Sequence, residues 1–261
     1  MFDLAALESD TELAGTIFKG KLHYSAITGS TNSDALAAAR SGAPHGSVYF
    51  ADEQHAGRGR GDHAWHSVAG EGLYVSVLLR PNMTAARLPL LPLAAGLAAA
   101  EAIKSITALP VDLRWPNDLL IGPRKVGGIL VEAHSEGSAV TYAVVGVGIN
   151  VHQQDFAPGL STPATSLDLE AGRRTSRQAL LVALLKSLER EMRALASERA
   201  QESIHTRVQL VSTWVCGRSV EVHGPQACYG VTAGLDENGF LLVRTEAGIV
   251  TVQTGGIRQR D

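Results

Sequence analysis

Apolar positions along this chain fall into segments of two periods, cut by short polar stretches. Residues 1–20 read as a short helix or a loose lead-in. "LHYSAITGSTNSDALAAARSG" then gives a strand, a polar turn and a helix, with Ser/Thr/Asn as the start signal and Gly42 as the stop. "GSVYFADEQ" and "GLYVSVLLRP" are strands, the second closed by Pro81, and an apolar helix follows over Leu90–Ile106. "VDLRWPNDLLI" is a strand interrupted by Trp-Pro-Asn-Asp, with "GPRK" as a turn. "VGGILVEAHSEGSAVTYAVVGVGINV" gives two strands joined by a hairpin through Glu136-Gly137. A Pro/Gly/Ser/Thr-containing connection covers 152–172. Helical periodicity returns in "SRQALLVALLKSLEREMRALAS", capped by Thr175 or Ser176. From Val215 the texture changes to short strands with turns at Gly224-Pro225, Glu237-Asn238-Gly239 and Ala247-Gly248, the pattern of a small β-barrel. Strands and helices mixed over the first two hundred residues predict a sheet covered by helices, an α+β fold.

Composition narrows the classes. With 45% apolar residues in 261, a sizeable core is available. The formal charge of −3 does not suit a protein that grips nucleic-acid backbone, and it weighs against a non-enzymatic nucleotide- or RNA-binding protein. Cys216 and Cys228 lack the neighbours of a metal site and are expected to be reduced and structural, in keeping with a cytoplasmic protein. The acidic N-terminus is unlike a signal peptide. "LPLLPLAAGLAAAEAI", interrupted by Pro89, Pro92 and Glu101, is expected to be too short for a bilayer and to be a buried helix of a soluble domain, with no membrane partner.

Four stretches could carry chemistry. In "EQHAGRGRGDHAW" (Glu53–Trp65) almost nothing can pack a core. Gly57, Gly59 and Gly61 allow close backbone approach, and Arg58 and Arg60 point the same way in an extended chain, a plausible clamp for phosphate or pyrophosphate. A solvated surface loop is the alternative. "RWPNDLLIGPRKVGGILVE" sets Asn117 and Asp118 after Pro116, and Lys125 before a strand containing Gly127-Gly128, adjacent glycines that often mark a nearby ligand or backbone. In "VVGVGINV", Gly146, Gly148 and Asn150 share one strand face. "GSTNSDA" puts Ser30, Thr31 and Asn32 at a helix N-terminus, where negative charge is favoured.

Taken together, the chain resembles the biotin protein ligases from about Leu22 to Gly256. The resemblance is carried by "STN" (Ser30–Asn32), "Q-x-A-GRGR…W" (Gln54–Trp65), "WPND" (Trp115–Asp118), "K-x-GGILVE" (Lys125–Glu132) and "GVGIN" (Gly146–Asn150). It implies a catalytic domain like those of class II aminoacyl-tRNA synthetases over 21–212, after a lead-in at 1–20, and an SH3-like barrel over 213–261. The implied activity is ATP-dependent ligation of biotin: activation as biotinyl-5′-adenylate with release of pyrophosphate, assisted by magnesium, then transfer to a lysine of the biotin carboxyl carrier domain of acetyl-CoA carboxylase.

Carried over, Ser30, Thr31, Asn32, Gln54, Gly57, Arg58, Gly59, Arg60, Lys125, Gly127 and Gly128 bind biotin. Arg58, Arg60, Trp65, Asn117, Asp118, Lys125 and Asn150 bind ATP or the adenylate. Lys125, Arg58 and Asp118 are the catalytic candidates, with Asp118 either a base or a metal contact. The segment 57–64 is expected to be mobile without ligand and to fold over bound biotin.

Two departures stand out: the family loop continues GRGRRGRxW where Gly61-Asp62-His63 stand here, and Arg114 replaces the lysine of KWPND. About twenty residues before the first strand are too few for the DNA-binding domain of some relatives, so no DNA partner is expected. Self-association as a homodimer is left open. A lipoate or octanoate ligase shares the implied fold and lysine, and the GRGR…W loop argues against it.

Overall fold

The structure is a computed structural model that describes residues 1–61, 63–197 and 200–260, with 200–203 as backbone only. In chain order the elements are α1 (Leu4–Ser9), β1 (Leu22–Thr28), α2 (Thr31–Arg40), β2 (Ser47–Gln54), β3 (Gly72–Leu79) and α3 (Leu90–Thr107). Then come β4 (Asp112–Arg114), β5 (Asp118–Ile121), β6 (Arg124–Glu136), β7 (Ala139–Asn150), α4 (Leu167–Ala171), α5 (Arg177–Leu195) and α6 (Ala200–Val211). The chain closes with β8 (Cys216–His223), β9 (Cys228–Leu235), β10 (Leu241–Thr245), β11 (Gly248–Val252) and β12 (Gly256–Gln259).

The first seven strands form one mixed sheet in the order β1-β2-β3-β7-β6-β5-β4, parallel only between β1 and β2. The last five form a separate antiparallel sheet, β11-β10-β9-β8-β12. The expected α+β architecture is therefore the observed one.

Alternation along the strands decides what each face of the large sheet meets. Val145, Val147 and Ile149 of β7 point into the main core with Val75 and Val77 of β3, beneath α3 and α5. Val144 and Leu78 point the other way, onto Ala35 and Ala39 of α2. β3 is buried along its whole length because both faces are covered. α2 covers only part of its face, and the remainder forms the floor of the cleft described below.

Several sequence expectations are refined. α5 is capped by Ser176, whose Oγ accepts from Ala179 N at 3.2 Å. α1 is the short helix of the N-terminal segment, and Phe2, Leu7, Leu13 and Phe18 are buried in the main core. α3 spans 18 residues and is long and apolar enough to cross a bilayer on length and composition alone, which corrects the expectation that it is too short. Burial on nearly all sides, against the sheet and α5, makes it a core helix. α6 was not foreseen: its start overlaps a polar, charged stretch without a clear apolar stripe, and Ile204 and Val208 are buried where the helix packs on α3, α5 and β4.

The two sheets share one apolar core, in which Trp115, Leu119 and Val126 sit with Trp214, Val220, Leu241 and Ile257. A polar tie joins them too, Trp115 Nε1 donating to Gly239 O (3.1 Å) in the turn between β9 and β10, and Ser212 Oγ just after α6 donates to Leu113 O of β4 (2.5 Å). Cys216 and Cys228 are free, the first exposed and the second half-buried.

Candidate active site

Three glycines lower the floor of the sheet. Strand register places Tyr74, Gly148, Gly128 and Asp118 in one row across β3, β7, β6 and β5, and Ser76, Gly146 and Leu130 in the next. A methyl group at Gly148 would sit 2.6 Å from Cε2 of Trp65, and one at Gly128 3.5 Å from the same indole and from Lys125. The Trp65 ring thus lies over a bare patch of β6–β7 backbone. A methyl group at Gly146 would overlap Asn32 Oδ1. These absences of side chain open a cleft of about 840 Å³ between the large sheet, the 57–65 segment, the connection after β7, and the edge of the second sheet.

The Gly/Arg segment is not an open loop here. Gly59 N donates to His63 O (2.7 Å) and Trp65 N to Gly57 O (2.9 Å), with Arg58 bridged to Ala64, so 57–65 is a small hairpin. Its turn runs through Gly61, whose φ of +60° is the left-handed conformation that glycine takes without strain. Gly61 and His63, two of the residues that depart from the family pattern, therefore fall at the hairpin turn; Asp62 lies outside the described residues.

A chain of hydrogen bonds ties the base of this hairpin to the sheet. Both η nitrogens of Arg58 bind the carboxylate of Glu132 (2.9 and 2.6 Å), and the same carboxylate accepts from Asn32 Nδ2 (2.9 Å). Ser76 Oγ donates to Asn32 Oδ1 (2.5 Å) and shares a 2.8 Å bond with Thr31 Oγ1. Gln54 Oε1 accepts from Thr31 N (2.8 Å), while Gln54 Nε2 donates to Ser67 Oγ (2.8 Å), two residues beyond Trp65. Ser30 starts α2 without a side-chain capping bond, so its hydroxyl is free to face the cleft.

Charge is concentrated on one side. Lys125 Nζ lies 2.5 Å from Asp118 Oδ1 and 5.7 Å from the centre of the Trp65 ring. Arg114 holds the other oxygen of Asp118 at 2.6 Å. Burial by itself would raise the Asp118 carboxyl, but the Lys125 ammonium and the Arg114 guanidinium outweigh it and hold it below the usual carboxylate range. Lys125 is fixed through its backbone as well, donating to Pro163 O (2.7 Å) and accepting from Thr165 N (2.9 Å). Arg60 reaches across to the second sheet, donating to Gly255 O at 2.9 Å and to Asn117 Oδ1 at 3.4 Å. Burial lowers its guanidinium and nearby Asp118 opposes that shift. Asn150, buried at the end of β7, donates to Thr165 O (3.0 Å).

Of the residues singled out from sequence, Ser30, Thr31, Asn32, Gln54, Arg58, Gly59, Arg60, Trp65, Asn117, Asp118, Lys125, Gly128 and Asn150 line the cleft. Two do not. Gly127 alternates with Gly128 and so faces the core, where a methyl group would press on Gly148 O (2.8 Å) and Leu119 (2.9 Å). Gly57 sits at the hairpin base with the Trp65 carbonyl against it. Sequence reasoning missed Glu132, Ser76 and the wall formed by His223, Thr254, Gly255 and Arg258. Glu132 was within reach of it, because four residues after Gly128 in a strand is the same face.

A magnesium ion at Asp118 does not fit this donor set. Both carboxylate oxygens are engaged by cations, and among the described residues no group of three His, Cys, Asp or Glu side chains could hold a metal.

Residues 24–150 match the model of the biotin/lipoate A/B protein ligase family. Among curated proteins, a biotin–[acetyl-CoA-carboxylase] ligase of Mycobacterium tuberculosis is 35% identical over 245 residues, covering 91% of this chain and 88% of that one. The bifunctional ligase/repressor BirA of Bacillus subtilis is 34% identical over 244 residues, 90% of this chain and 73% of the relative. Among solved structures, a biotin protein ligase from Aquifex aeolicus in complex with biotin and ATP superposes with a TM-score of 0.79 at 30% identity, covering 92% of this chain and 99% of that one.

Proposed function

This chain belongs to the biotin protein ligases, enzymes of the biotin/lipoate A/B protein ligase family, and from that premise we propose how its cleft acts on biotin and ATP. The observation that carries the reading is the gathering of Arg58, Arg60 and Lys125 around one cleft with a glycine floor.

Biotin's carboxylate is ionised at neutral pH and needs no base to act as a nucleophile. Its oxygen attacks the α-phosphorus of ATP; the bond to the β-phosphate oxygen breaks, and pyrophosphate leaves with the bonding pair. The obstacle is repulsion between an anion and a polyanion, so the need is for fixed positive charge where negative charge builds up. Lys125, the cation nearest the glycine floor, bridges the carboxylate and the α-phosphate, while Arg58 and Arg60 hold the phosphates. Ser30, Thr31, Asn32 and Gln54 bind the polar head of biotin, and Trp65 and Asn150 contact the adenine.

In the second step an acceptor lysine, as the free amine, attacks the acyl carbon; the acyl–phosphate bond breaks, AMP departs and the nitrogen loses a proton. The depressed Asp118 carboxyl is a weak proton acceptor, which supports a role in holding Lys125 in place over a role as base. The proposed acceptor is the biotin carboxyl carrier domain of acetyl-CoA carboxylase, in a cytoplasmic setting consistent with two free cysteines.

The test is incubation with biotin, Mg·ATP and a carrier domain, followed by intact-mass measurement of the carrier. One biotinyl group should appear on a single lysine, with pyrophosphate released before the carrier is added. Equal or faster turnover with lipoate in place of biotin would refute the substrate assignment.

A further inference from the structure

Glu132 lies on the same face of β6 as Gly128 and Leu130, which line the cleft, and it joins two elements that border it. Its carboxylate takes both forks of Arg58 from the hairpin and the amide of Asn32 from α2. From Asn32 the bonds run on through Ser76, Thr31 and Gln54 to Ser67, whose Oγ also donates to Trp65 O (3.3 Å); Trp65 N then returns to Gly57 O beside Arg58. The circuit is closed. It fixes both legs of the hairpin to the side chains assigned above to the head of biotin, and Glu132 is its only carboxylate.

We infer that Glu132 is a positioning residue for the ligase reaction: by holding Arg58 and Asn32 on one carboxylate, it sets the hairpin over bound biotin. This inference rests on the biotin-ligase reading of the cleft. The charge at this point matters more than the hydrogen-bond count. All three donors, two N–H groups of Arg58 and one of Asn32, demand acceptors, and a glutamine would turn an NH₂ group towards at least one of them. The pair is partly exposed, with the Arg58 side chain 41% and the Glu132 side chain 27% accessible, so its loss should loosen the hairpin without unfolding the protein.

The experiment compares wild type, Glu132→Ala and Glu132→Asp in the full chain, with three readouts: thermal unfolding without ligand, KM for biotin and kcat in pyrophosphate release, and the amount of biotinyl-adenylate that escapes into solution without acceptor. Glu132→Ala should raise the KM for biotin about tenfold and increase adenylate escape several-fold. Its Tm should stay within about 2 °C of wild type, a size of shift that corresponds to less than 1 kcal/mol in a chain of this length. Glu132→Asp, which keeps the carboxylate on a shorter stem that Arg58 can follow, should recover most of the KM. An unchanged KM and unchanged escape in Glu132→Ala would overturn the inference, as would a Glu132→Asp that folds but behaves like Glu132→Ala. If wild type itself forms no adenylate from biotin and ATP, the functional reading fails instead, so the two failures are separable.

Discussion

Adding one methyl group at either of two neighbouring glycines should have opposite consequences. At Gly148 a methyl carbon would lie 2.6 Å from Trp65 Cε2 and 2.7 Å from Nε1, where ordinary contact needs well over 3 Å. The indole must lift by about 1 Å, which is the gap between those contacts and van der Waals separation. Little opposes this, because the ring is only half-buried and its N–H has no hydrogen-bond partner. The strain is offset by the roughly 0.5–1 kcal/mol gained when alanine replaces glycine inside a strand. Gly148→Ala should therefore unfold within about 3 °C of wild type.

At Gly146 the methyl group would overlap Asn32 Oδ1, and Asn32 is 4% exposed and bonded on both sides to Ser76 and Glu132. Overpacking and a broken buried hydrogen bond together cost about 2–4 kcal/mol, so Gly146→Ala should lose roughly 5–10 °C. Binding should discriminate in the other direction. Gly148→Ala raises the floor on which the ligand is proposed to lie, and even 1.4–2.8 kcal/mol of misfit weakens biotin and adenylate ten- to a hundredfold. The assays are scanning calorimetry of the ligand-free proteins and biotin titration with and without a non-hydrolysable ATP analogue. A Gly148→Ala protein that binds as wild type does but melts much lower would refute the account of the glycine floor.

Three further outcomes follow from the same geometry. Lys125→Ala should slow biotin-dependent pyrophosphate release by about a hundredfold or more, the scale for removing one charge aimed at a developing anion, with a minor change in Tm; undiminished release would sink the bridging role. Asp118→Asn should destabilise the ligand-free protein at neutral pH, and the sign of its pH dependence is fixed. A carboxyl held below its unfolded value of about 3.9 adds stability that is fully present above that value and is lost as pH falls through the lower folded value. The gap between wild type and Asp118→Asn, measured by urea unfolding, should thus persist at pH 5 and close only in more acid solution; a gap that closes between pH 7 and 5 would contradict the pairing with Lys125 and Arg114. Trypsin should cut after Arg58 and Arg60 more slowly when biotin and ATP are both present, and equal cleavage rates would count against hairpin closure.

How much of this was legible in the sequence depended on whether a residue's role is local. Period-two spacing of Gly146, Gly148 and Asn150 announced a shared strand face, and register with β6 then brought Gly128 and Asp118 into line. The same rule, applied strictly, would have separated Gly127 from Gly128, because adjacent strand residues cannot face one way. Glu132, though it ends the K-x-GGILVE motif, and Ser76 were given no role because a single carboxylate or hydroxyl in an apolar strand gains its meaning only from partners about 74 and 44 positions away. The wall from the second sheet was illegible for the same reason: His223 and Gly255 belong to a tract whose own chemistry is bland. α6 escaped since its helical state rests on packing by Ile204 and Val208 more than on its own pattern.

The contact between Arg60 and Gly255 has a consequence for how this enzyme can vary. Arg60 binds a main-chain oxygen, and no substitution at position 255 can delete a carbonyl. What can change is whether that oxygen is still presented. The backbone there has a φ of +113°, and any side chain would run into the carbonyl of His223. The acceptor is thus secure against loss but intolerant of drift, so this end of the grip between hairpin and second sheet is held by backbone geometry, while the other end is held by a side chain that also serves the cleft.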